Sequence, residues 1–228
     1  MIDLNCDMGE LDDSAHEAAL MEHIASANIA CGGHAGDEAT MERTVRLALA
    51  RGVHIGAHPG YPDPANFGRL EMPMSPADIS QTVRQQIERL DAVVRRLGGQ
   101  IVHVKPHGAM YNVAVRNTEV ARAIGMGVAQ WNPAIPIFGL AASHMLDVWR
   151  SMGLSALGEG FADRRYEPDG SLRNRKFPDA LITDLAEAAA QAVRLARSGT
   201  VQTICVHGDT PGAVSILKAC REALASQP

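Results

Sequence analysis

The chain has 228 residues, of which 46% are hydrophobic and 21% charged, and this composition is far from that of disordered proteins. A formal net charge of -5, with no basic stripe along the sequence, argues against nucleic acid as a partner. The four cysteines form no CxxC pair, and no run approaches the roughly 20 apolar residues of a membrane helix, so we expect a cytoplasmic protein without membrane contact.

Short apolar segments alternate with longer amphipathic segments along the chain, a pattern typical of repeated βα units with parallel strands. The predicted strands span residues 2–7, 26–31, 53–58, 101–105, 135–140, 154–159 and 201–207. Helices are predicted at residues 37–51, 75–97, 117–131, 143–152, 179–197 and 210–225, and a loop with a short helix at residues 11–25. No linker divides the chain, so we predict one domain over residues 1–228.

Four of the predicted strands carry polar residues on one face and apolar residues on the other. In the first strand, Asp3, Asn5 and Asp7 alternate with Leu4 and Cys6. The same polar parity holds for His54 and His58, for His103 and Lys105, and for Thr203 and His207. A face that packs against helices has to be apolar, so the polar face is expected to line a barrel interior. We therefore predict a distorted seven-stranded parallel βα barrel, with its chemistry at the C-terminal strand ends.

Four histidines lie at or just past predicted strand ends, each with a glycine within two residues. They are His34, His58, His107 and His207. Glycine permits sharp turns and close approach of the backbone to a ligand, and histidine can act as a base near pH 7. One such histidine alone is more often structural, but four that converge on one rim favour a functional site.

Three charged residues at strand ends are candidates for catalysis. Asp7 could be a general base or a metal ligand, with capping of a turn as the structural alternative, and Glu159 could be an acid or a base. Lys105 would be a costly buried cation unless it faces a carboxylate or an anionic ligand. A metal site of Asp7 with two strand-end histidines is chemically sensible, but spacing alone does not identify a metal.

Other polar residues near the predicted rim could bind a substrate. Arg165, in the segment 163–166, could grip a carboxylate or phosphate with its guanidinium group. The predicted substrate-binding residues are Asn5, Asn28, His34, His58, His107, Arg165, His207 and Asp209.

Six ordered motifs resemble the LamB/YcsF family: DLNCDMGE, SANIACGGHAGD, GAHPGYPD, VKPHGAMYN, EGFADRRY and VHGDTPGAV. The resemblance implies a βα barrel related to polysaccharide deacetylases. It also implies a multisubunit 5-oxoprolinase that, with partner subunits B and C, uses ATP and Mg²⁺ to cleave 5-oxo-L-proline to L-glutamate. The chain has no GxxxxGK[ST] phosphate loop, so the partner subunits could hold the ATP. The chain departs from the family after Glu10, where a rim loop is shorter and lacks an aromatic residue.

Opening a lactam requires activation of a resonance-stabilised amide, either by ATP or by a metal. If ATP activates the lactam, Asp7 or Glu159 would activate water and Lys105 would stabilise developing negative charge. Two alternatives stay open at this point. One is a metal-dependent amide hydrolase or deacetylase that acts alone, and the other is a non-catalytic subunit that binds the lactam.

Overall fold

A computed structural model describes residues 2–226, and its parallel strands close into a barrel. The strands are β1 (Asp3–Met8), β2 (Ser26–Ala30), β3 (His54–His58), β4 (Ile101–Val104), β5 (Ile137–Leu140), β6 (Ala156–Phe161) and β7 (Thr203–Cys205). Each strand pairs with the next, and β7 closes the barrel by pairing with β1, with Leu4 opposite Ile204. The predicted barrel is confirmed, and every predicted strand end lies within two residues of its position in the structure. The one-domain prediction includes residues 1, 227 and 228, which lie outside the described residues.

Helices cover the outside of the barrel. They are α1 (Ser14–Leu20), α2 (Glu38–Arg51), α3 (Pro76–Arg96), α4 (Gly108–Arg116), α5 (Thr118–Trp131), α6 (His144–Ser151), α7 (Leu185–Arg197) and α8 (Ala213–Ala225), with a short 3-10 helix at Pro64–Asn66. Capping fixes several of the starts: the Ser75 hydroxyl accepts a hydrogen bond from Asp78 N ahead of α3, and Asp37 accepts one from Thr40 N ahead of α2. Within residues 2–226, no helix has the length and apolar character needed to span a bilayer.

Helix α7 begins six residues later than the sequence pattern predicts. The Asp184 side chain accepts a hydrogen bond from Glu187 N and so sets the helix start at Leu185. Residues 162–184 instead form a long loop, pinned by isolated bridges from Arg164 to Leu181 and from Tyr166 to Leu172.

Helix α8 also begins later than predicted, and helix α4 was missed. The Thr210 hydroxyl donates a hydrogen bond to Asp163 at 2.5 Å, which holds Thr210 in the loop after β7. Gly212 then takes a left-handed conformation, with a φ of 79°, and α8 starts at the next residue. Helix α4 starts directly after His107, in a segment that the sequence indicated only as a strand-end motif.

The barrel separates an apolar outer layer from a polar interior, as the strand parity predicts. Ile29 of β2, Val45 of α2 and Val83 of α3 are all fully buried between the strands and the helices. Inside, Asn5 Nδ2 donates hydrogen bonds to Glu159 Oε1 at 3.1 Å and to Thr203 Oγ1 at 2.6 Å. His54 is the exception to the inward pattern, because it lies exposed at the first residue of β3.

One glycine makes room for the interior network. A Cβ atom on Gly56 of β3 would lie 2.0 Å from His103 Nε2 of β4, so only glycine accommodates the ring there. That ring is stacked on Phe138, with 4.2 Å between centroids, and its Nε2 is 2.8 Å from Asn28 Oδ1. Burial lowers the pKa of His103 to about 3, so this ring is a neutral part of the core.

Candidate functional site

A cavity of about 730 Å³ opens at the C-terminal ends of the strands, which is where the sequence predicts the chemistry. The strand-end residues that line it include Asp7, His58, Lys105, His107 and His207. The long loop before α7 and helix α4 provide much of the remaining wall, including Arg164, Tyr111 and Arg175. The cavity therefore collects side chains from opposite sides of the barrel.

Lys105 lies immediately after β4 and is held between two carboxylates. Its Nζ is 2.8 Å from Asp7 Oδ1 and 3.0 Å from Glu159 Oε1, and all three side chains are at most 3% exposed. Nζ also lies 3.1 Å from Cys205 Sγ. Burial alone would lower the pKa of Lys105, but the charge of Asp7 and its other neighbours raise that pKa well above the ordinary value. The site thus contains a permanent buried cation.

The two carboxylates beside Lys105 have opposite protonation tendencies. Burial would raise the pKa of Asp7, but the nearby His58 and Lys105 lower it well below the ordinary value. Burial raises the pKa of Glu159, and Lys105 offsets only part of this effect. Asp7 lines the cavity, whereas Glu159 is fully buried behind Lys105. Asp7 is therefore an ionised carboxylate that a molecule in the cavity can contact, while Glu159 is placed to hold Lys105.

Asn5 and Asn28 lie beneath the cavity floor. Asn28 Nδ2 donates hydrogen bonds to Asp7 Oδ1 at 2.9 Å and to Asn5 Oδ1 at 2.8 Å. Both asparagines are fully buried, and the cavity lining does not include either of them. Of these two predicted substrate-binding residues, Asn28 therefore orients the Asp7 carboxylate directly, and Asn5 holds Asn28 and Glu159.

Three of the predicted histidines converge on Glu10. Glu10 Oε1 is 2.9 Å from His34 Nε2, 3.1 Å from His107 Nδ1 and 3.5 Å from His58 Nε2. The His34 and His107 rings are stacked, with 3.6 Å between centroids. Burial lowers the pKa of His34 to about 4 and also lowers that of His107, so both rings are neutral near pH 7. Burial would lower the pKa of His58 as well, but Asp7 raises it above the ordinary value.

His207, which follows β7, also lines the cavity and is oriented by Asp163. The Asp163 carboxylate is 3.0 Å from His207 Nδ1 and accepts hydrogen bonds from His207 N at 3.1 Å and from Thr210 Oγ1 at 2.5 Å. Burial alone would raise the pKa of Asp163, but the charge of His207 and these hydrogen bonds lower it to about 2.

The folded state lowers the pKa of Asp163, so the ionised carboxylate stabilises the fold at every pH above the ordinary pKa of an aspartate. This contribution to the free energy of unfolding is about 2 kcal/mol. This contribution is lost as the pH falls from about 4 towards 2. We expect Asp163→Asn to lower the free energy of unfolding near pH 6, by an amount that shrinks near pH 3. Urea unfolding at both pH values checks this, with the exposed Asp12→Asn as control. A deficit independent of pH would contradict the linkage.

Arg164 and Arg165 point in different directions, and the one that faces the cavity is not the one that the sequence predicts. Arg165 Nη1 pairs with Glu187 Oε1 at 2.7 Å, is 41% exposed and does not line the cavity. Arg164 lines the cavity instead, and burial lowers its pKa to about 10. Asp209, which the sequence predicts to bind substrate, forms an ion pair with Arg175 at 3.0 Å. Arg175 is therefore a further cation at the rim of the cavity.

Sequence reasoning also missed Tyr111 and Glu10 of the cavity wall. Tyr111 lies on the missed helix α4, and burial together with Glu159 raises its pKa well above the ordinary value. Glu10 lies just past the end of β1 and contacts the three histidines, although the sequence motifs marked it only as the residue after which the rim loop is shortened. Its place two residues after a barrel strand was the available signal.

Comparisons with known proteins agree with the motifs and with the barrel. The LamB/YcsF family model matches residues 2–228. The A subunit of 5-oxoprolinase from Chloroflexus aggregans is 47% identical over 238 aligned residues, which cover 98% of this chain and 94% of that protein.

A lactam utilization protein from Thermus thermophilus superposes with a TM-score of 0.91 at 38% identity, covering 98% of this chain and 96% of that one. The catalytic domain of a peptidoglycan N-acetylglucosamine deacetylase from Eubacterium rectale, 11% identical with a TM-score of 0.53, shares the fold alone; the match covers 98% of this chain and 84% of that domain. The chain therefore belongs to the LamB/YcsF family.

Proposed function

We propose that this chain is one component of an ATP-dependent 5-oxoprolinase, which cleaves 5-oxo-L-proline to L-glutamate together with partner subunits B and C. The names of its relatives, a 5-oxoprolinase subunit and a lactam utilization protein, support the substrate class, and the word subunit supports the need for partners. The observation that carries the proposal is the buried Lys105 cation, held beside the Asp7 carboxylate at the cavity floor.

The chemistry of a lactam explains why this pair is useful. ATP would transfer its γ-phosphoryl group to the amide oxygen, with ADP as the leaving group. After water adds to the carbonyl carbon, the C–N bond would break and the ring nitrogen would take up a proton, and a second water would then release phosphate from the acyl phosphate to give glutamate. Asp7 would accept a proton from the water that attacks the carbonyl carbon, because it is ionised and lines the cavity. Lys105 would stabilise the negative charge that develops on oxygen, and Glu159 and Asn28 would hold Lys105 and Asp7 in place.

The cavity itself is poorly suited to a triphosphate. The sequence has no GxxxxGK[ST] loop to cradle phosphates, and the floor of the cavity carries the Asp7 and Glu10 carboxylates. We therefore assign the binding of ATP and its Mg²⁺ to the partner subunits, and the binding of the lactam to this chain. Arg164 and Arg175 at the cavity wall are suited to the substrate carboxylate.

Reconstitution tests the proposal. We expect the purified chain alone to form no glutamate from 5-oxoproline, with or without ATP, and we expect ATP-dependent glutamate formation after B and C subunits are added. Measuring glutamate and ADP together shows whether the two products appear in step. Turnover by the chain alone without ATP would overturn the proposal in favour of a metal-dependent amide hydrolase. If variants without the Asp7 carboxylate and the Lys105 amine still bind the lactam, and the reconstituted enzyme keeps full activity, this chain would have a binding role only.

A further inference from the structure

Glu10, His34, His58 and His107 bring four potential ligand atoms to one point beside the cavity. Glu10 Oε1, His34 Nε2, His58 Nε2 and His107 Nδ1 all lie within 4.8 Å of one another. The Glu10 oxygen is 2.9 to 3.5 Å from the three nitrogens, and the two nitrogens of His58 and His107 are 2.9 Å apart. Bond lengths of about 2.0–2.1 Å in a tetrahedral zinc site place ligand atoms roughly 3.3 Å apart, which is close to the three distances from Glu10 and to the distance between His58 and His107.

The outer hydrogen bonds of two rings provide a second, independent indication. His58 Nδ1 is 2.7 Å from the carbonyl oxygen of Lys105, and His107 Nε2 is 2.9 Å from the carbonyl oxygen of Phe67. A carbonyl oxygen only accepts, so each of these nitrogens carries the hydrogen. The opposite nitrogens, His58 Nε2 and His107 Nδ1, therefore present lone pairs to each other. Metal-binding histidines are commonly oriented by the same kind of outer partner.

Two lone pairs at this distance repel each other unless a cation lies between them. A proton on His58, favoured by the neighbouring Asp7, is one such occupant. A proton would join only two of the four groups, whereas a tetrahedral cation uses the three rings and the carboxylate together. A divalent cation would also offset the buried charges of Asp7 and Glu10, which Lys105 alone does not neutralise.

We propose that Glu10, His34, His58 and His107 form a binding site for a tetrahedral divalent cation of the zinc type. The sequence left open a metal at Asp7 with two histidines; in the site proposed here Glu10 and three histidines provide the ligands, and Asp7 lies next to them, 3.4 Å from His58 Nε2. Four protein ligands are typical of closed structural sites. The cation would tie together the segments that follow β1, β2, β3 and β4 and fix the cavity wall beside Asp7.

Metal binding can be measured without substrate, ATP or partner subunits. We expect the metal-stripped chain to bind one Zn²⁺ per molecule in calorimetry. At saturation, the bound Zn²⁺ should raise the melting temperature of the chain by about 5 °C or more. Co²⁺ in the same site should give the intense visible absorption of a tetrahedral complex. Glu10→Gln and His34→Gln should each weaken Zn²⁺ binding by about 100-fold or more. Loss of a hydrogen-bond partner of a ligand costs about 10- to 100-fold, and loss of the ligand itself should cost at least as much.

His144→Gln is the matched control, because His144 also lines the cavity but lies outside the cluster, and it should bind Zn²⁺ as the wild type does. Circular dichroism of the metal-free variants shows whether they fold. Glu10 lies on a loop, so Glu10→Gln keeps the test valid if a histidine variant does not fold. Absence of stoichiometric binding by the wild type, or unchanged binding by folded Glu10→Gln, would overturn the proposal. Neither result bears on whether reconstituted enzyme cleaves 5-oxoproline, so the two proposals fail separately.

Discussion

Replacing Lys105 with methionine is expected to lower the turnover of the reconstituted enzyme by about 100-fold or more, because the charge facing the reacting oxygen is lost. The protein should also be destabilised by about 3 kcal/mol or more, because two buried carboxylates lose their shared partner. Glutamate formation with B and C subunits and urea unfolding of the isolated chain measure the two effects.

A second substitution separates the two roles of Lys105. In the double variant Lys105→Met with Glu159→Gln, one stranded charge is removed, so part of the lost free energy of unfolding should return. Turnover should stay low, because the neutral side chains still provide no cation at the cavity floor. Recovery of turnover along with stability would show that Lys105 is only structural.

Asp7→Asn is expected to lower kcat by about 100-fold or more, because an amide of the same shape cannot accept a proton from the attacking water. The amide oxygen of the new asparagine can still accept the hydrogen bond from Asn28 Nδ2, so we expect a folded protein that assembles with its partner subunits. Turnover of the reconstituted enzyme and the melting temperature of the chain provide the two measurements.

Asp3→Asn is the matched control for Asp7→Asn. Asp3 lies on the same strand and on the same face, but at the opposite end of the barrel, where its carboxylate accepts hydrogen bonds from Ser26 at 2.7 Å and from Thr203 at 2.5 Å. This variant should leave turnover close to that of the wild type. If Asp7→Asn behaves in the same way, Asp7 belongs to the structural network and not to the chemistry.

The interior of the barrel was predictable because strand periodicity is a local property of the sequence. Asn5 and Asp7 alternate with apolar Leu4 and Cys6, and neighbouring side chains on a strand point to opposite faces whatever the rest of the chain does. The same reasoning predicts that Lys105 points inward. The sequence alone therefore determined the fold class and the direction of these side chains.

Depth within the barrel was decided only by the tertiary structure. Parity places Asn5 and Asp7 in the interior, but it does not distinguish a position at the open rim from one beneath it. Their depth depends on the stagger between paired strands; for example, Asp7 pairs with Asn28 and Glu159 pairs with Thr203. These pairings put Asp7 at the cavity and Glu159 behind Lys105.

The loops at the rim carry no periodicity, so the sequence could not say which of their residues meet. Arg165 turns to Glu187 while Arg164 faces the cavity, a difference set by the bridges that pin the loop before α7. Glu10 reaches the histidines only because β1 to β4 lie side by side in the closed barrel. Contacts between residues far apart in sequence depend on strand order and closure, and these become fixed only when the whole chain packs.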